Sequence, residues 1–189
     1  MNIFILDRDA ATSARMMCDK HVIKMILESC QLLSTAHHVL DGDELIVNTG
    51  KRKFKSYICT KKNICKATMV NHPCTIWARE TRGNYMWLWR HAYALCKEYT
   101  RRYSKVHAME NMLLTDLYDP PINIKKSAQT PFAQAMPENY KDNDAVVAYR
   151  KYYISEKARF AKWKLNDEPN WYKEKDTTYK SLEEEYLPF

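Results

Sequence analysis

One stretch near the start of the chain carries side chains able to do acid–base chemistry: Cys18-Asp19-Lys20-His21-Val22-Ile23-Lys24-Met25-Ile26-Leu27-Glu28. On a helix turning about 100° per residue, Lys24 lies about 60° from His21 and Glu28 only about 20° from it. An imidazole, an ammonium and a carboxylate then share one stripe. Val22, Met25, Ile26, Ser29 and Leu33 mark the neighbouring, mostly apolar stripe that faces a core. A polar stripe of this kind is either a solvated face or a catalytic carboxylate with anion-binding neighbours.

The elements that must position these residues read as helical. Only three glycines occur, Gly42, Gly50 and Gly83, which argues against an all-β fold and against a Gly-rich phosphate cradle. The pattern predicts a first long helix from about Ala10 to His38, a second from Asn84 to Tyr103 and a third from Asp142 to Lys164. Met86, Trp89, Ala92, Cys96 and Tyr99 mark the core face of the second; Val147, Ile154, Ala158, Ala161 and Trp163 mark that of the third. Residues 1–6 form an extended apolar segment, Leu45-Ile46-Val47 a short strand, and Glu110 to Leu117 a short helix. Pro120, Pro121, Pro131 and Pro137 make 119–141 an irregular connection, in which Gln129 to Gln134 could line a groove. The expected fold is mainly α: a compact bundle of three long helices with an extended N-terminal segment and long loops. The expected organisation is one domain over 1–189, with a basic insertion at about 40–71 and an aromatic, acidic tail at 166–189.

Charge narrows the partners. The net charge is +7, with −4 in residues 166–189 and therefore +11 in residues 1–165. Residues 51–79 hold eight bases and no acid, interleaved with Phe54, Tyr57 and Trp77. Cations neutralise phosphates and aromatic faces stack on unpaired bases, so a polyanion such as nucleic acid fits this body. Cys18, Cys30, Cys59, Cys65, Cys74 and Cys96 read as free thiols of a reducing compartment. Cys59, Cys65, His72 and Cys74 lack the short paired spacings of zinc ribbons or fingers, so no metal or other cofactor is expected. No apolar run approaches membrane-spanning length, and the start lacks the basic region of a signal peptide. A cytoplasmic monomer is expected.

Three motifs together resemble the small phage pyrimidine-dimer DNA glycosylases, also called endonuclease V of the phage lesion-repair type. They are Asp19-x-His21 with Glu28 seven residues after the histidine, Trp87-Leu88-x-Arg90-x5-Cys96-x-Glu98-x2-Arg101-Arg102, and Pro169-x-Trp171-Tyr172-Lys173. The resemblance implies double-stranded DNA with damaged or modified pyrimidines as the partner, and Glu28 as the catalytic acid/base. It also implies an α-amine as nucleophile, forming an iminium at C1′ and cutting the strand by β-elimination. An α-amine ordinarily titrates near 8, which leaves a useful unprotonated fraction at neutral pH. Family members begin Met-Thr and lose the Met; residue 2 here is Asn, which predicts that Met1 stays and supplies the amine. Lys20 or Lys24 is the alternative amine, and loss of the lyase step is another. By the same resemblance Asn2, Arg8, His21, Lys51, Arg52, Lys53, His72, Arg79, Arg82, Trp171 and Tyr172 are the expected DNA contacts. Insertion of residues 40–71 opens the alternatives of a modified base as substrate, another base-modifying enzyme with the same His/Glu stripe, or a DNA-binding protein without catalysis.

Overall fold

The computed structural model describes residues 1–165 and 168–174. Those residues form seven α-helices and one two-stranded sheet, so the fold is mainly α. Two helices are long: α2 (Asp19–Asp41) and α4 (Arg82–Tyr103). They pack against each other with the shorter α1 (Ala10–Met16) and α3 (Pro73–Glu80) alongside. The strands β1 (Asp43–Asn48) and β2 (Lys53–Ile58) form an antiparallel hairpin. Then come α5 (Glu110–Leu114), a 3-10 turn (Glu138–Tyr140), α6 (Ala145–Lys157) and α7 (Asn170–Lys173). The predicted apolar stripe of α2 is in the core, with Val22, Met25, Ile26, Ser29 and Leu33 all buried.

Three predicted boundaries are corrected, each for a non-local reason. The helix expected from Ala10 to His38 breaks at Met17 and Cys18, both extended. Neither glycine nor proline marks the break. Instead, partners distant in sequence satisfy the freed groups: Arg102 donates to the carbonyls of Arg15 and Met17, Trp163 Nε1 donates to Met16 O, and Cys18 N–H donates to Tyr153 Oη. The helix expected from Asp142 to Lys164 spans only Ala145–Lys157, so the bundle has two long helices and not three. Asp144 caps it, accepting from Val146 N–H. After its end Asp19 captures the backbone: its N–H donates to Lys162 O and its Oδ2 accepts from Lys164 N–H. The core face of α6 is also different, built from Val146, Tyr149 and Tyr153, while Val147 points outward. The helix expected from Asn84 begins at Arg82, capped by Thr81 Oγ1, which accepts from Asn84 N–H; Gly83 lies in its first turn, where a Cβ would come within 2.2 Å of Gln129 N.

The extended start is threaded through the core, with Ile3, Ile5 and Leu6 buried. Phe4 is left-handed (φ 56°), an uncommon conformation for a bulky residue. Asn2 holds that turn: its Oδ1 accepts from the N–H groups of Ile3 and Phe4, and its Nδ2 donates to Ala135 O. The acidic end of the tail, beyond Glu174, lies outside the described residues.

Candidate active site

The chain start, the first half of α2 and the α6 region meet at an open cleft of about 430 Å³. Met1, Asn2 and Phe4 come from the start, and Lys20, His21, Lys24, Met25 and Glu28 from α2. Ala135, Tyr152, Lys157 and Phe160 close the other side. Glu28 is 8% exposed and forms part of the floor. Its Oε2 accepts from Asn2 N–H at 2.9 Å, and its Oε1 meets Lys24 Nζ at 3.1 Å. The backbone nitrogen after the first residue is therefore fixed against the carboxylate.

His21 is a wall of the cleft. Its ring stacks on Phe4 at 4.5 Å and meets Tyr153 and Phe160 edge-on. Tyr153 Oη accepts from Cys18 N–H and shares a hydrogen bond with His21 Nδ1 at 2.8 Å. Burial above all, then the charges of Lys157 and Lys24, push the His21 pKa down to about 3. His21, an expected backbone contact, thus faces the cleft as an uncharged ring stacked on Phe4. Lys157 Nζ sits 4.5 Å from the Tyr152 ring centroid, and Lys20 Nζ 5.3 Å from that of Phe160. Floor carboxylate, aromatic walls and lysine rim thus occupy one cleft.

The remaining expected contacts are scattered. His72 adjoins the cleft: its Nδ1 accepts from Cys74 N–H, capping α3. Burial lowers its pKa, and the charges of the terminal amine and Glu28 both reach it. Arg79 donates to Val70 O and is half-buried. Arg8 pairs with Asp144 at 2.9 Å beside Thr130, Phe132 and Gln134, in the groove expected of that segment. Arg82 lines a different groove with Arg90 and Lys126. Lys51, Arg52 and Lys53 are exposed at the hairpin tip. Three expected contacts have their side chains engaged within the protein. The Asn2 side chain is spent on the Phe4 turn and Ala135. Tyr172 is 2% exposed and packs on Trp163. Trp171 packs on Tyr153, with Arg150 over its other ring contacts and Nε1 directed at Met16 Sδ. Cys59 and Cys65 flank His38, whereas Cys74 faces Asn2 and Tyr149, so the four candidate metal ligands are divided between two places.

Phe4, Tyr152, Lys157 and Phe160 were not singled out from sequence. Lys157-x-Arg159-Phe160 carries the same cation–aromatic interleaving that marked 51–79, and would have flagged this wall.

The family model for pyrimidine dimer DNA glycosylases matches residues 1–111. The chain belongs to this family. The match contains the start of the chain, all of α2 and His72, and so the whole α2 side of the cleft. Membership implies pyrimidine-dimer DNA glycosylase activity and DNA binding. No curated protein and no solved structure matches the chain. The motif around Asp19 acquires a structural meaning: Asp19 Oδ1 meets Arg102 Nη1 at 3.0 Å, and Arg102 is also bound by Glu98 at 3.1 Å. This fully buried guanidinium locks the start of α2 to α4, and thereby aims His21, Lys24 and Glu28 at the cleft.

Proposed function

We propose that the protein excises damaged pyrimidines from double-stranded DNA by amine catalysis and then cuts the strand as an AP lyase. The supporting observation is Glu28 Oε2 bound to the nitrogen of residue 2 at 2.9 Å, beside the first amine of the chain. The Met1 α-amine attacks C1′ of the lesion nucleotide. The N-glycosidic bond breaks, the base leaves with the bonding pair and takes a proton, and the sugar ring opens to an iminium. Glu28 stabilises the cationic sugar and carries protons on and off it. Loss of a C2′ proton then expels the 3′ phosphate by β-elimination. Lys24 orients Glu28, while Lys20 and Lys157 meet backbone phosphates at the rim. Tyr152 and Phe160, half-buried at the cleft wall and backed by the Phe4–His21 stack, offer aromatic surface to an extruded nucleotide. The free thiols accord with a monomer acting in the cytoplasm.

Borohydride trapping on dimer-containing duplex, followed by mass analysis of the adduct peptide, tests this reading. The adduct is expected on Met1. An adduct on Asn2 of a trimmed chain keeps the chemistry and moves the nucleophile one residue. Base release with no adduct, or an adduct on Lys20 or Lys24, overturns the α-amine assignment.

A further inference from the structure

The hairpin is two-faced. Its register places Leu45, Val47, Phe54 and Ile58 on one side, with Ser56 between them and Asp43 at the end far from the tip, and Glu44, Ile46, Asn48, Lys53, Lys55 and Tyr57 on the other. On the charged side Lys55 and Tyr57 both bind Glu44, at 2.9 and 3.1 Å. The apolar side is open, with Leu45, Phe54 and Ile58 each 41–54% exposed. A two-stranded ribbon with an uncovered apolar face is marginal alone and marks an interaction site. At the tip Lys51, Arg52 and Lys53 face no acid in the sequence from 49 to 79, and the Arg52 guanidinium lies 5.2 Å from the Phe54 ring centroid.

The hairpin is anchored firmly to the helix that carries Glu28. Gly42 leaves no room for a Cβ, which would meet Ile58 O at 2.3 Å. His38 Nδ1 accepts from Cys59 N–H, and its Nε2 donates to Cys65 O. The return segment then runs back along α2: Cys65 N–H donates to Ser34 Oγ, and Thr68 N–H to Thr35 Oγ1. It ends at His72, within reach of Glu28's charge. Ser34 is about 120° and Thr35 about 20° around the helix from Glu28, so the segment reaches the cleft side of α2 at Thr35. Exposed Lys62 and Lys66 lie on it. The thirteen residues from Glu28 to Asp41 span about 20 Å, and six-residue strands reach about 20 Å further.

We infer that the hairpin is a DNA-gripping arm that lies in the groove of intact duplex flanking the lesion. Its apolar face meets sugars and base edges, and Lys51, Arg52 and Lys53 meet phosphates. A major groove about 12 Å wide admits a two-stranded ribbon, and thymine methyl groups there suit an aliphatic and aromatic face. Charge selects DNA over a protein occupant, because the tip and the return segment are cationic throughout.

This inference rests on the DNA substrate of the proposed function, but its test uses binding alone. Affinity for long undamaged duplex is measured across a salt series for the wild type, the triple variant Lys51→Ala, Arg52→Ala, Lys53→Ala, and the face variant Leu45→Ser, Phe54→Ser. Thermal melting confirms that each is folded. The triple variant should lower the slope of log affinity against log salt by about 2.7, or about 0.9 per lost phosphate contact. The face variant should weaken binding with little change in slope. On a separate duplex carrying one lesion, a hydroxyl-radical footprint should shorten on one side of that lesion for both variants. An unchanged slope and footprint overturn the inference. So does a face variant that binds DNA normally but has lost self-association, since a second copy then covers the apolar side. A reduced slope from a protein that releases no base would leave the arm standing and sink the glycosylase reading.

Discussion

Glu28→Gln separates charge from shape. Glutamine keeps the length of the side chain and an oxygen to accept from Asn2 N–H, the 2.9 Å contact of the floor. What disappears is the negative charge and the ability to carry protons. Positioned acid–base groups are worth about 10² to 10⁴ in rate, and a preorganised electrostatic partner about 10² to 10³. The expected fall in base release is therefore at least about 10³-fold. Folding should hardly change, because Lys24 is 67% exposed and such an ion pair contributes at most about 1 kcal/mol. Affinity for lesion-containing duplex should hold or rise slightly, since a negative charge near the phosphates is removed. The assay is single-turnover base release from a dimer-containing duplex, with binding and melting measured on the same preparations. A rate within tenfold of wild type would show that the cleft does its chemistry without this carboxylate, and would refute the assignment.

Two further predictions concern what holds the cleft together. His21, His37 and His91 are buried, and burial is the main cause that lowers their pKa values, to about 3, about 4 and about 4. Each takes up a proton on unfolding once the pH falls below the ordinary 6.5, so stability is full above 6.5 and declines as the pH falls toward 4. At pH 4 each costs roughly 3 kcal/mol, together of the order of a whole domain's stability. Acid unfolding is expected between pH 4 and 5 by near-UV circular dichroism, and a native spectrum at pH 4 would contradict this. Arg102→Ala leaves Asp19 and Glu98 facing a buried gap, and should destabilise by about 3–5 kcal/mol in urea. A loss below 1 kcal/mol would show that Arg102 does not hold α2 to α4.

The α2 stripe was legible because its spacing is local: three, four and seven residues suffice to place His21, Lys24 and Glu28 on one side. The apolar stripe beside it was legible for the same reason, and so were the strand at Leu45–Val47 and the irregular path from 119 to 141. What failed depended on partners remote in sequence. The break at Met17 needs Arg102, Tyr153 and Trp163, none of which leaves a mark near residue 17. Trp171 and Tyr172 have the composition of a DNA-stacking pair, yet Tyr172 is buried against Trp163 and the half-buried Trp171 packs on Tyr153. Asn2 was expected as a DNA contact on an extended start, but the left-handed turn at Phe4 and Ala135 O engage its side chain and leave its N–H for the carboxylate.

The division of the cleft carries its own argument. The family match over residues 1–111 contains the carboxylate, the amine and the α2 lysines, whereas Ala135, Tyr152, Lys157 and Phe160 lie beyond it. Under the proposed mechanism, breaking the glycosidic bond draws on the first set. The second adds Tyr152 and Phe160 to the aromatic surface begun by Phe4 and His21, and Lys157 to the lysines of α2, so under that proposal the fit of a nucleotide depends on both. The two sets are joined through many contacts, among them Asn2 to Ala135, Phe4 to Tyr149, Tyr152 and Tyr153, and His21 to Tyr153 and Phe160. Asp19, which pairs with Arg102 of α4, also binds the backbone of Lys162 and Lys164, so a substitution that shifts the segment after α6 is expected to disturb the placement of Glu28, whereas a change confined to the Tyr152 or Phe160 ring leaves that lock in place.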